Sequence, residues 1–345
     1  MSKRLRMRHI IRTLLLCFLV WPLAVLAAPR YAGYLFVYFA GDTTEDGEQI
    51  RFALSRGNDP LHWRELDGGR PTLTSDVGEK GVRDPYIVRA PGGRKFYIIA
   101  TDLRMVGRDM GQWWVVQRHG SRAIVVWEST DLVHWSSPRR VKVAPEEAGN
   151  TWAPEAVWDA RLGKFVVFWA SRLYAPDDKD RHRDTHNRMM YATTDDFRTF
   201  SEPKVWQDPG YSVIDATVIE HAGRYYRFSK DDRDPPASTP CSKSIAAMKS
   251  TSLTSAAYEP IAECIGRGAI GDGEGPLVFK SNTEEKWYLF IDEYGKRGYV
   301  PFETTDLDSG RWTMVKEYQL PPHPRHGAVI PVTQDEYDRL LANYP

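Results

Sequence analysis

Cysteine is scarce in this 345-residue chain, which has only Cys17, Cys241 and Cys264. No metal-type Cys/His spacing accompanies them, so a zinc or iron–sulfur framework is excluded as an organising principle. Charge of one sign is also lacking: 46 basic and 46 acidic side chains give a formal net charge of +0. There is no global field to draw nucleic acid or an anionic membrane, and nucleic acid drops out as a partner. No long segment keeps a helical period, which disfavours mixed α/β folds. After the first thirty or so residues no long apolar run appears, so the rest of the chain carries no membrane-spanning segment.

What is present begins with "MSKRLRMRHIIRTLLLCFLVWPLAVLAA". A basic head, an apolar stretch from about Thr13 broken by Pro22, and small residues around Val25 and Ala27 read as a secretory signal peptide over residues 1–27. Cleavage would leave residues 28–345 as one secreted or periplasmic domain with no membrane association. Cys17 lacks the preceding small residue that a lipoprotein site needs. In an oxidising compartment Cys241 and Cys264 could pair; two unlinked cysteines are the alternative reading. Hydrophobic residues make up 42% and aromatics 12%, with 12 Trp and 17 Tyr. Such side chains fill sheet cores and offer flat faces to sugar rings.

One small unit recurs along the chain. "SRGNDPLHW" (55–63), "STDLVHW" (129–135), "TTDDFRTF" (193–200), "STSLTSAAY" (250–258) and "TTDLDSGRW" (304–312) each start on a small hydroxyl residue and end on an aromatic. A strand, a turn closed by a polar side chain bonding its own backbone, and a short strand carrying the aromatic fit this pattern. Trp63, Trp135 and Trp312 repeat with the unit and read as core. Two further strands precede the pair in "DPYIVRAPGGRKFYIIATD", "APEAVWDARLGKFVVFWAS", "DATVIEHAGRYYRFSK" and "EGPLVFKSNTEEKWYLFID". Four strands per unit, repeating about every fifty to sixty residues, predict propeller blades. The first unit has only its later strands, and "RHGAVIPV" (325–332) offers an orphan strand near the other end. The fold class predicted is therefore all-β, a five-bladed β-propeller closed by pairing the C-terminal strand with the N-terminal partial blade. "TQDEYDRLLANY" would form a short helix beyond the ring, and the charged insert 175–188 a solvated loop.

In a propeller the first strand of each blade lines the central channel. Aligning the units by that strand puts Asp84, Asp215 and Glu274 at equivalent places in "VRDPYI", "VIDATV" and "GEGPLV". Three blades thus aim carboxylates at one axis. Paired carboxylates facing a groove suit glycosidic bond cleavage, one donating a proton to the leaving oxygen and the other activating water. A third nearby would raise the donor's pKa. Asp272 reads as a turn residue. Glu155, off the register of the other three, reads as a structural partner.

"RDPYIV…KFYIIATD", "WAPEAV", "VIDATV…YYRFSK", "GEGPLVFK" and "PRHGAVIPVT" together resemble glycoside hydrolase family 43, five-bladed propellers that include inverting arabinofuranosidases, xylosidases, arabinanases and galactanases. The resemblance implies Asp84 as general base, Asp215 as pKa modulator and Glu274 as general acid. It favours Trp152 in the pocket over a residue that fills the blade junction, suggests that Arg297 holds a sugar hydroxyl, with a surface salt bridge as the equal alternative, and makes His326 similar to a channel histidine that helps hold water or a calcium ion. No cofactor is required, and a structural calcium in the channel is the metal it allows. The function implied is hydrolysis of plant-type polysaccharide or its side chains, α-L-arabinofuranosides first, then β-xylosides and β-galactans. Inversion would need the Asp84 and Glu274 carboxyls roughly 6.5–9.5 Å apart. The competing class is a non-catalytic sugar-binding propeller, which has no need of three matched acids.

Overall fold

The computed structural model describes residues 30–234 and 240–345; the proposed export signal lies outside the described residues. Twenty strands form five four-stranded antiparallel sheets. The first combines β1 (Tyr31–Phe39), β2 (Arg51–Arg56) and β3 (Asp59–Glu65) with the last strand of the chain. The second holds β4 (Val82–Arg89), β5 (Phe96–Asp102), β6 (Ala123–Ser129) and β7 (Arg139–Lys142). In the third are β8 (Trp152–Asp159), β9 (Lys164–Arg172), β10 (Asn187–Thr194) and β11 (Lys204–Gln207). The fourth comprises β12 (Val213–His221), β13 (Arg224–Asp231), β14 (Ile245–Ser250) and β15 (Glu259–Ile265). The fifth has β16 (Glu274–Lys280), β17 (Trp287–Glu293), β18 (Gly298–Thr304) and β19 (Thr313–Met314), and β20 (Arg325–Thr333) returns to pair with β1. The ring closes as the orphan strand required.

The repeated turns form as their hydroxyl residues demand. Ser129 Oγ accepts the Leu132 N–H at 3.0 Å and Thr194 Oγ1 the Phe197 N–H at 3.0 Å. Both apolar residues take left-handed backbone, φ 68° and 54°, and are buried. Between sheets the side chains form continuous apolar layers. Val37 and Phe52 meet Ile98 and Trp127 across one seam, and Phe36 and Trp63 meet Phe279 and Phe290 across another. Burying an aliphatic chain or phenyl ring of this kind contributes about 1.5–3 kcal/mol. Strands covered on both faces by neighbouring blades explain why β5 is buried at every position.

Two helices sit outside the blades. The terminal one, α2 (Gln334–Asn343), starts at a capping box between Thr333 and Glu336, as "TQDE" encodes. Glu336 also takes two hydrogen bonds from Arg89 of the second blade, at 2.5 and 2.9 Å, and Tyr337 donates to the Ser55 carbonyl of the first at 2.8 Å. The helix thus staples the seam next to the closure. The other, α1 (Gln112–His119), interrupts the β5–β6 connection and is not announced by any period in the sequence. Cys241 and Cys264 form a disulfide with Cα atoms 4.7 Å apart, so the paired reading holds.

Candidate active site

The innermost strands β4, β8, β12, β16 and β20 share one irregularity near their N-terminal ends. Register with the next strand breaks between Arg83 and Tyr86, Trp152 and Glu155, Ile214 and Thr217, and Glu274 and Leu277; against β1, β20 breaks between Arg325 and Ala328. Each break is a bulge, which turns a side chain off the sheet's alternation. The bulged residue is left-handed in four blades: Asp84 (φ 51°), Ala153 (48°), Asp215 (54°) and Gly275 (51°). By register His326 holds the same place in the fifth.

This corrects the expected alignment. Asp84 and Asp215 are equivalent, but Glu274 stands one residue earlier, level with Arg83, Trp152, Ile214 and Arg325. Its blade gives the bulge to Gly275, where a Cβ would come within 2.7 Å of His326 Cγ. Asp84, Ala153 and Asp215 show that the backbone admits a side chain here, so it is the space beside His326 that requires glycine.

The three acids nevertheless meet at one place. Asp84 accepts the Thr101 hydroxyl at 2.8 Å, and its other oxygen lies 3.6 Å from His326 Nδ1. His326 packs on Gly275, whose N–H donates to Asp215 Oδ2 at 3.1 Å. The Tyr299 hydroxyl donates to the Gly275 carbonyl at 2.8 Å and accepts the Gly327 N–H at 2.9 Å, locking β16 to β20. Glu274 accepts from Lys230 Nζ at 3.0 Å and from Arg325 Nη2 at 2.8 Å, and 23% of its side chain remains open to solvent.

Charge is distributed unevenly among these groups. Burial pushes Asp215 up to about 6, with His326 opposing and Glu274 reinforcing the shift. Burial would also raise Glu274, but Lys230 and Arg325 outweigh it and hold the carboxyl near 2. Of the two carboxyls Asp215 therefore keeps its proton to the higher pH and Glu274 is the more readily ionised, the reverse of what a proton donor needs before substrate arrives. Lys230 is itself buried, which works against its charge, yet Glu274 and Asp232 keep it firmly ammonium. Arg325 bridges Glu274 to Asp292, 2.5 Å from its Nε, and burial lifts Asp292 to about 6 despite that partner.

The remaining expected residues divide. His326 is buried at the centre of the cluster. Trp152 is half-buried at the channel mouth, with Trp113 of α1 edge-on at 6.0 Å and 89°. Arg297 is not brought to the acids: it pairs with Glu293 four residues earlier, donates to the Ala269 carbonyl at 3.2 Å, and its side chain is 47% exposed. Its own hairpin supplies the nearest carboxylate, so the surface ion pair wins. Glu155 lies buried on the inner strand β8 near Thr217 and Asp215 of β12, where burial pushes its pKa well above the carboxylate range.

Lys230, Arg325 and Asp292 were not singled out from sequence. A lysine ending the aromatic strand "YYRFSK" and an arginine beside the channel histidine in "PRHG" were the available signals. Among the described residues no group of three or more His, Cys, Asp or Glu side chains is arranged to hold a metal ion. Of the acids around His326, Glu274 fits a resident calcium poorly, because Lys230 and Arg325 already neutralise it.

A family model described as "Probable glycosyl hydrolase domain" matches residues 29–338. An α-L-arabinofuranosidase of Bifidobacterium longum subsp. longum is 37% identical over 317 residues, covering 83% of this chain but 29% of its own length. The chain thus spans less than a third of that relative. In fold it is similar to a Cellvibrio cellulosa α-L-arabinanase solved with arabinohexaose, with TM-score 0.53 and 12% identity over 82% of this chain and 91% of that one. It is similar also to GH43B from a Bacteroides ovatus xyloglucan locus, with TM-score 0.50 and 15% identity over 87% of this chain and 56% of that one. A five-bladed ring with three acids at its axis, and a family model spanning nearly all the described residues, establish that the chain belongs to the family 43-related glycoside hydrolases.

Proposed function

We propose that this chain is an exported inverting glycosidase that removes α-L-arabinofuranosyl groups from plant-type polysaccharide. The observation carrying the reading is the convergence of Asp84, Asp215 and Glu274, from three separate blades, around His326. The 37% identical arabinofuranosidase favours the substrate over β-xylosides and β-galactans. Asp84, held by Thr101 and free of any Lys or Arg ion pair among the described residues, suits activation of water. Glu274, with part of its side chain open to solvent, suits protonation of the leaving oxygen.

Glu274 can donate only after gaining a proton, and its two cations resist that. A sugar hydroxyl that takes over the Lys230 Nζ hydrogen bond would remove part of that opposition and raise the carboxyl's pKa. Ionised Asp215 contributes a negative field that pushes the Glu274 pKa in the same direction. Export is supported by the Cys241–Cys264 disulfide, a bond that persists in oxidising compartments.

The test is a panel of nitrophenyl arabinofuranoside, xyloside and galactoside beside arabinan and arabinoxylan, with the first product anomer followed by NMR. Release of arabinose of inverted configuration is expected. Retention would remove the single-displacement mechanism, and no turnover of any glycoside would favour a sugar-binding propeller.

A further inference from the structure

The β5–β6 insertion, residues 103–122, stands on the face of the ring where the acids lie, because it joins the C-terminal end of β5 to the N-terminal end of β6. It is fixed at both of its sides. Toward the first blade, the buried Glu48 accepts the Met105 and Val106 N–H groups at 2.7 and 2.9 Å and pairs with Arg83 at 2.8 Å. Toward the third, Arg118 is buried and donates to the Arg181 carbonyl at 2.9 Å, while Arg181 donates back to the Arg118 carbonyl. The 175–188 insert, expected as a free solvated loop, is therefore half of a wall built jointly by two blades.

Three tryptophans run outward along that wall. Trp152 borders the channel and Trp113 packs against it, with the Arg83 guanidinium 5.2 Å over its ring. Trp114, the next residue, is 50% exposed, and the Arg118 guanidinium lies 4.5 Å over its ring. A cation anchored to the neighbouring insert thus occupies one face of the indole and fixes its tilt. Half of the side chain is presented to solvent, and Met110, four residues earlier, is 80% exposed. A large apolar ring held rigid at an enzyme's rim, with no packing partner on its outer face, marks a recognition surface.

We propose that Trp114 is a polymer-side subsite, stacking a backbone sugar of the polysaccharide whose branch enters at Trp152. The assignment rests on the glycosidase reading above and adds that this wall recognises the chain beyond the cleaved residue. A neutral, hydroxyl-rich ring is the occupant because the exposed indole stands on the face where the acids lie, one residue from Trp113, which packs against Trp152.

The experiment uses the full chain with Glu274→Gln to prevent turnover, and measures retardation in affinity gels containing branched arabinan or wheat arabinoxylan. Adding Trp114→Ala is expected to weaken binding by about fivefold, and Trp114→Phe to recover most of it, since stacking survives in a smaller ring. Equal retardation with and without Trp114 would overturn the subsite, as would an alanine-like loss in the Phe variant. If Glu274→Gln binds no polymer while the wild type still cleaves nitrophenyl arabinofuranoside, the subsite fails and the glycosidase reading stands. Absence of both would remove the two together.

Discussion

The starts of β4 and β16 share a bulge, a left-handed residue and a place on the same channel, yet they set their acids in opposite electrostatic surroundings. Asp84 occupies the bulge itself, with a neutral hydroxyl on one oxygen and an imidazole 3.6 Å from the other. Glu274 stands one residue before its bulge, between an ammonium at 3.0 Å and a guanidinium at 2.8 Å. The blade architecture positions carboxylates and the cations arriving from neighbouring strands differentiate them. The roles proposed for the two acids rest on that distinction, and it is where the reading can be broken.

The largest effects should come from removing each acid in turn. Glu274→Gln is expected to lower turnover of arabinan or arabinoxylan by about 10²–10⁴-fold while largely sparing glycosides with activated leaving groups, because those leave without protonation. Asp84→Asn should depress both substrate types alike, since water must be activated in either case. Comparing the two variants on nitrophenyl and natural substrates checks the assignment, and identical patterns would dissolve it.

Next in size is Gly275→Ala. A Cβ there meets His326 within 2.7–2.9 Å, in a backbone region that L-residues avoid. Displacing His326 disturbs the Asp84 side of the site and the Gly275 N–H to Asp215 together. A loss of about 1–3 kcal/mol in urea unfolding is expected from the overpacking, along with most of the activity. Near-normal behaviour would mean that β16 and β20 are not locked as described.

The cation clamp offers a sharper contrast. Lys230→Met removes one of two positive charges from Glu274, so its pKa rises from the low value near 2. The proton donor is then protonated to higher pH, and the alkaline limb of the kcat/KM profile should move upward, whatever the change in the plateau. An unmoved limb, or one moved down, would show that Lys230 does not set the donor's protonation. Asp84→Asn would not produce this displacement.

Much of the ring was legible in sequence because propeller blades repeat: Ser129, Thr194 and Thr304 bond backbone amides two or three residues ahead, as their spacing from the aromatics implied. The orphan strand before Thr333 likewise announced the closure. The one-residue offset of Glu274 was not legible, since a bulge adds a residue without altering the apolar pattern that sets an alignment. Nor was the clamp, because Lys230 and Arg325 lie 44 and 51 residues from Glu274 and meet it only once the ring is closed. Arg297 misled for the opposite reason. Its partner Glu293 is four residues away, and a local pair satisfies it before any substrate is considered. In α1, "QWWVVQRH" is too short for its period to register, and Glu48 of the first blade and Arg181 of the third hold its surroundings from outside.

The smallest expected effect isolates the backbone from the chemistry. Asp84 and Gly275 take nearly the same left-handed φ, 51° each, but only one of them carries a Cβ. Asp84→Ala and Asp84→Gly both delete the carboxylate and should be equally inactive on every substrate. They should differ in stability, since the left-handed conformation costs an L-residue about 1–2 kcal/mol and glycine returns part of that gain, about 0.4–1 kcal/mol, through its freer unfolded chain. The glycine variant is therefore expected to be the more stable by roughly 0.5–1 kcal/mol in urea unfolding. If the alanine variant proves equal or better, the bulge at β4 is not under conformational strain. The left-handed aspartate would then be a relaxed feature of the blade, and not a posture imposed to aim the base at the channel axis.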